Sequence, residues 1–128
     1  MLFRSIEYPL TLLRKYGVTE VVVNLHHMGD QIREVLGNGS RFGMTIHYSQ
    51  EEEILGTGGG IKKVEPILGS APFLVLNSDV VAEINLGELV RFHEQSGAAA
   101  TLVLRDDPEA AKWGAIGVNS SEIGRAHV

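Results

Sequence analysis

The feature that most narrows the fold is a regular exchange of two periodicities along the chain. Ile6 to Tyr16 sets Ile6, Leu10, Leu13 and Tyr16 at helical spacing, and Gly17 supplies a left-handed stop. "VTEVVVNL", Val18 to Leu25, is then a β-branched run of the kind that fills a strand buried on both faces of a parallel sheet. Gly29 to Leu36 returns to helical spacing with Ile32, Val35 and Leu36 on one side, and "GNGS" ends it. Met44 to Ser49 alternates apolar and polar residues as a strand does. Ile61 to Leu68 predicts a short helix, broken or kinked near Pro66. Phe73 to Asn77 reads as a second buried strand, Leu86 to Gln95 as a helix, and Ala98 to Leu104 and Ala115 to Val118 as the last strands. Strands and helices exchanging at such short intervals predict a three-layer α/β architecture with a mostly parallel sheet. Ligands of such sheets sit beyond the carboxyl ends of the strands, which directs attention to Asn24, His26 and His27 and to Asn77 to Asp79.

Composition removes several classes of function. A formal charge of −5 gives no electrostatic footprint for a nucleic-acid backbone or an anionic membrane. The absence of cysteine excludes disulfide frameworks, thiolate zinc sites and cysteine nucleophiles together, and fits a cytoplasmic protein. Apolar runs such as Val21 to Val23 fall far below the roughly 18 residues of a membrane span.

The stretch "LGTGGGIKK", Leu55 to Lys63, poses the chemical question. A phosphate loop needs G-x-x-x-x-G-K-[ST]; counted from Gly56, the second glycine falls on Ile61 and the hydroxyl residue on Lys63. The dinucleotide pattern G-x-G-x-x-G fails from Gly56 and from Gly58 alike. Two readings remain. One is a flexible turn. The other is a bend whose main chain at Gly58, Gly59 and Gly60 admits the close approach of a flat base or ribose, with Thr57 adding a hydroxyl. Lys62 and Lys63 on an exposed helix read as solvated side chains, paired His26 and His27 as structural or hydrogen-bonded ones, and His93 as a packed histidine.

"EYPLTLLRKYGVTEVVVNLHHMGDQI", "LGTGGGIKK", "PFLVLNSDVV" and "WGAIGV", in that order, resemble the sugar-1-phosphate nucleotidyltransferases, chiefly the mannose-1-phosphate guanylyltransferase and N-acetylmuramate-1-phosphate uridylyltransferase branches. The resemblance runs from Glu7 to Val118 and implies a Rossmann-like α/β/α fold. It also implies transfer of a nucleotidyl group from an NTP to a sugar 1-phosphate, giving an NDP-sugar and pyrophosphate. By the family pattern L-G-T-[AG]-G-[AG], Leu55, Gly56, Thr57, Gly58, Gly59 and Gly60 contact the nucleoside. Asn77-Ser78-Asp79 matches the family's N-G-D, with serine in place of glycine, and implies Asp79 as the catalytic ligand of Mg2+. Gly114 takes the position whose amide meets the sugar, and Trp113 stands where the family has tyrosine; packing of that indole on the core is the equal alternative. A serine forced to positive φ at position 78 would cost on the order of 1 kcal/mol.

The family's G-x-G-T-R-[LM] and P-K-P motifs, which hold the triphosphate, do not occur in the sequence. Leu2-Phe3-Arg4-Ser5 can be encoded by CTC TTC CGA TCT. The reverse complement of that string, read in frame after one base, gives Glu-Ile-Gly-Arg, as at Glu122 to Arg125. The expectation is therefore a partial nucleotidyltransferase domain over residues 6–121, lacking its first, central strand and inactive alone, between adapter-derived tails at 1–5 and 122–128. The alternative is a non-catalytic nucleotide- or sugar-binding regulatory subunit of the same fold. A nucleotide-sugar glycosyltransferase ranks last, because "NSDVV" lacks a D-x-D pair.

Overall fold

The structure, a computed structural model, describes residues 5–118 and the backbone of 124–126. Most of the two expected tails therefore lies outside the described residues. Two compact units divide the chain, the first ending at Val90 and the second beginning at Arg91.

The first unit is built on a parallel pair of strands. Helix α1 (Glu7–Lys15) leads to β1 (Glu20–Leu25), α2 (Gly29–Leu36), a 3-10 turn at Ser40–Phe42 and β2 (Thr45–Gln50). β1 and β2 run parallel in the register Glu20 opposite Thr45 through Leu25 opposite Gln50. Because strand side chains alternate between faces, Val21 and Val23 pack with Ile46 and Tyr48 toward α1 and α2. There Ile6, Leu10, Leu36, Met44 and Ile46 form the buried cluster. The Tyr48 hydroxyl donates to the Gly37 carbonyl at 2.6 Å, and its ring lies under the Arg33 guanidinium at 4.8 Å. Burial raises the Tyr48 pKa and the Arg33 charge opposes the rise.

The opposite face of the pair, carrying Asn24, receives α3 (Gly56–Leu68), whose Gly60 and Val64, one turn apart, are its buried residues. Helices thus cover both faces, as the strand–helix alternation predicts. The expected short helix over 61–68 is corrected in one respect: it starts at Gly56, so the glycine stretch is its first turn, and Pro66 lies inside it. Glycine is a poor helix former by about 1 kcal/mol relative to alanine, and tertiary packing of Gly60 against the sheet overrides that preference.

Two expected strands are also corrected. Residues 73–77 and 98–104 join no ladder, and Val75 is 54% exposed. Their β-branched and apolar content favours extended backbone, but a strand exists only by pairing, and among the described residues the parallel sheet consists of β1 and β2 alone. Helix α4 (Leu86–Ser96) follows, Leu86 being among the most deeply buried side chains. In the second unit a short helix α5 (Ala110–Trp113) precedes β3 (Ile116–Val118), which pairs antiparallel with β4 (Gly124–Ala126). The mostly parallel expectation does not extend to that pair.

Candidate functional site

At the carboxyl end of β1 the chain assembles a polar group from three segments. Glu51, the residue after β2, donates its amide to the Leu25 carbonyl at 2.7 Å. Its own carbonyl lies 2.9 Å from His26 Nδ1; a carbonyl only accepts, so Nδ1 carries the hydrogen. The Glu51 carboxylate turns inward. Of the three consecutive glutamates 51 to 53 only this one is buried, at 7% exposure, and its Oε2 accepts the Leu55 amide at 3.1 Å. A buried carboxylate is tolerated where it receives hydrogen bonds, and here it answers an amide at the start of α3 that the helix itself leaves unpaired.

The glycines now separate by role. A Cβ on Gly60 would stand 2.3 Å from Asn24 Nδ2 and 2.9 Å from Glu51 Oε1, so the missing side chain is what lets α3 close on the sheet. A Cβ on Gly59 would meet Leu55 Cβ at 2.8 Å. Gly56 and Gly58 face open space, with nothing within 4 Å of a Cβ, and Thr57 between them is exposed. The accessible main chain of the stretch is therefore 56–58, whereas Gly59 and Gly60 serve the packing. The turn and the bend are corrected alike as shapes, since these residues are helical.

His26 also lines a concavity of about 730 Å³ with Met28, Gly29, Asp30, Gln31, Arg33 and Gln50, at the start of α2. Met28 there holds φ at +56°, the sole non-glycine residue with positive φ among the described residues. Sequence reasoning passed over both Glu51 and Met28. Nothing in a run of three glutamates says which one turns inward, and nothing in a methionine announces a left-handed backbone. The lysines are engaged by the protein itself: Lys62 pairs with Glu65, and Lys63 donates to the Gln50 carbonyl.

Asp79 lies exposed in a turn closed by the Val80 amide on the Asn77 carbonyl at 3.4 Å. Ser78 does not adopt positive φ, so the serine replacing glycine carries no left-handed strain. No hydrogen bond or ion pair among the described residues ties Asp79 to the Glu51 group, and no three metal-ligating side chains converge among them. One exposed carboxylate suits Mg2+, which takes one or two carboxylates and fills its octahedron with water and phosphate oxygens.

In the second unit Gly114 holds φ at +93° where α5 ends, a conformation that favours glycine, with open space where a Cβ would be. It lines a concavity of about 500 Å³ with Arg105, Asp106, Asp107 and Trp113. Trp113 is 81% exposed, so packing of its indole on the core is ruled out. His93 Nδ1 is 2.9 Å from the Thr101 hydroxyl, as suits a packed histidine.

Comparison with known proteins shows the family of the chain. The family model described as nucleotidyl transferase matches residues 3–127. The chain is 36% identical over 121 residues to mannose-1-phosphate guanyltransferase beta-B of Xenopus laevis, covering 92% of this chain and 33% of the relative. It is 37% identical over 112 residues to mannose-1-phosphate guanyltransferase of Debaryomyces hansenii, covering 85% and 31%. To the UTP–glucose-1-phosphate uridylyltransferase of Synechocystis it is 33% identical over 115 residues, covering 80% and 29%. The chain thus spans about a third of the length of these relatives. An α/β frame with parallel strands, a glycine-rich helix start at the strand ends and a family match over nearly the whole sequence give one conclusion: the chain belongs to the nucleotidyl transferase family.

Proposed function

We propose that this chain supplies the nucleoside-binding part of a sugar-1-phosphate nucleotidyltransferase, an enzyme that moves a nucleotidyl group from an NTP to a sugar 1-phosphate and releases pyrophosphate. The observation that carries the reading is the open main chain at Gly56 and Gly58, held beside the carboxyl end of β1 by the buried Glu51. A helix start ordinarily attracts phosphate. Here the chain's own carboxylate takes that place, which favours base and ribose over triphosphate. Thr57, exposed between the two open glycines, offers its hydroxyl to the same ligand.

The sugar phosphate oxygen attacks the α-phosphorus and pyrophosphate leaves, so positioning and charge neutralisation dominate the chemistry. Asp79 would contribute the carboxylate for Mg2+, which when bound neutralises phosphate charge. Gly114, with its open left-handed backbone, is the sugar contact in this reading. Guanylyl and uridylyl transfer to mannose or glucose 1-phosphate are the candidate reactions, by likeness to the relatives.

The test is calorimetric titration of the chain with GTP and with UTP, followed by a pyrophosphate-release assay with mannose and glucose 1-phosphates. Binding of a nucleotide without pyrophosphate release is expected, because G-x-G-T-R is absent from the sequence. No binding of either nucleotide refutes the nucleoside site, and turnover by this chain refutes the need for that motif.

A further inference from the structure

We infer that Glu51 is the positioning residue of the glycine-rich helix start, a brace that fixes the exposed amides of 56–58 relative to the carboxyl end of β1. Three observations converge on it. Its backbone is tied on both sides to the end of β1, through the Leu25 carbonyl and His26 Nδ1. Its carboxylate reaches forward to the Leu55 amide, and Gly60 packs against the other carboxylate oxygen. Finally, it is buried while its neighbours Glu52 and Glu53 stay in water.

A carboxylate leaves water at a cost that only specific hydrogen bonds offset, so this inward turn marks a contact the local structure needs. Without it the start of α3 holds four glycines in five residues, Gly56, Gly58, Gly59 and Gly60, and has little intrinsic preference for helix. Glu51 touches no substrate in this arrangement. It acts through the main chain of the turn, and its bearing on a nucleotide rests on the function proposed above.

The experiment is amide hydrogen exchange on the whole chain, with GTP titration beside it. In the native chain the Leu55 amide should exchange more slowly than those of Gly56 and Gly58; equal rates overturn the brace even if no variant folds. Glu51→Ala should speed exchange at Leu55 by about tenfold or more, while amides of the β1–β2 ladder keep their rates. Glu51→Gln retains an acceptor of the same reach and should stay within about threefold of native. Unchanged Leu55 exchange in Glu51→Ala, or equal loss in the alanine and glutamine variants, overturns the inference. In the binding arm, GTP affinity should fall about tenfold in Glu51→Ala and recover in Glu51→Gln. If the native chain binds no GTP, the nucleotide reading fails on its own, and the exchange data still decide the brace.

Discussion

A pair of alanine substitutions two residues apart in one helix, at Gly58 and Gly60, separates packing from access. Alanine in place of glycine within a helix gains roughly 0.5 to 1 kcal/mol from backbone entropy and propensity. At Gly58 nothing opposes the gain, since a methyl there meets no atom within 4 Å. At Gly60 the methyl would stand 2.3 Å from Asn24 Nδ2 and 2.9 Å from Glu51 Oε1. Asn24 is exposed and can swing aside at small cost. Glu51 cannot, because it is buried and holds the Leu55 amide, and a hydrogen bond to a charged acceptor is worth about 1.5 to 3 kcal/mol. Gly60→Ala should therefore lose about 1 to 2 kcal/mol net while Gly58→Ala gains about 0.5, a separation near 2 kcal/mol. Urea unfolding with unchanged m-values measures both. Gly60→Ala matching or exceeding native stability would refute the close approach of α3 to the sheet. The functional half runs in the opposite sense: Gly58→Ala should be the more stable protein and the weaker binder of GTP.

Three further outcomes follow from particular residues. Asp79→Ala should abolish Mg2+-dependent pyrophosphate release when the sequence is carried in a full-length nucleotidyltransferase, and full retention would end its assignment as metal ligand. Met28→Gly relieves a left-handed backbone and should raise stability by about 1 kcal/mol in thermal unfolding; a loss would show that the methionine side chain matters more than its φ. The Asp107 carboxyl is held below the ordinary aspartate pKa by the Glu109 amide and then by Arg105. A lowered folded pKa means that its contribution is present above the unfolded value and is lost as pH falls through the folded one. Side-chain NMR titration should place the midpoint below the ordinary value, and Arg105→Ala should raise it without restoring it fully.

Much of the first unit was legible because its local signals agree. Helices expected over 6–16 and 29–36 and strands expected over 18–25 and 44–49 combine the right periodicity with nearby glycines, and the structure has them at 7–15, 29–36, 20–25 and 45–50. The run at 73–77 carries an equally strong apolar signal and forms no ladder, because pairing depends on what lies alongside rather than on the run itself. The glycine stretch was legible as bare main chain and misread as a shape. Three glycines in a row announce bare main chain, and only packing decides whether that main chain bends or coils.

By itself the sequence determined the alternation of helices with the first two strands, the absence of cysteine and the stretch of side-chain-free residues at 56–60, since each depends on residue type and short-range spacing. Tertiary structure alone decided that Glu51, and neither of its two glutamate neighbours, turns inward, that Gly60 packs while Gly58 stays open, and that Met28 takes a left-handed backbone. Those outcomes arise where segments distant in sequence compete for the same space and the same hydrogen-bond partners, and no local pattern encodes who wins.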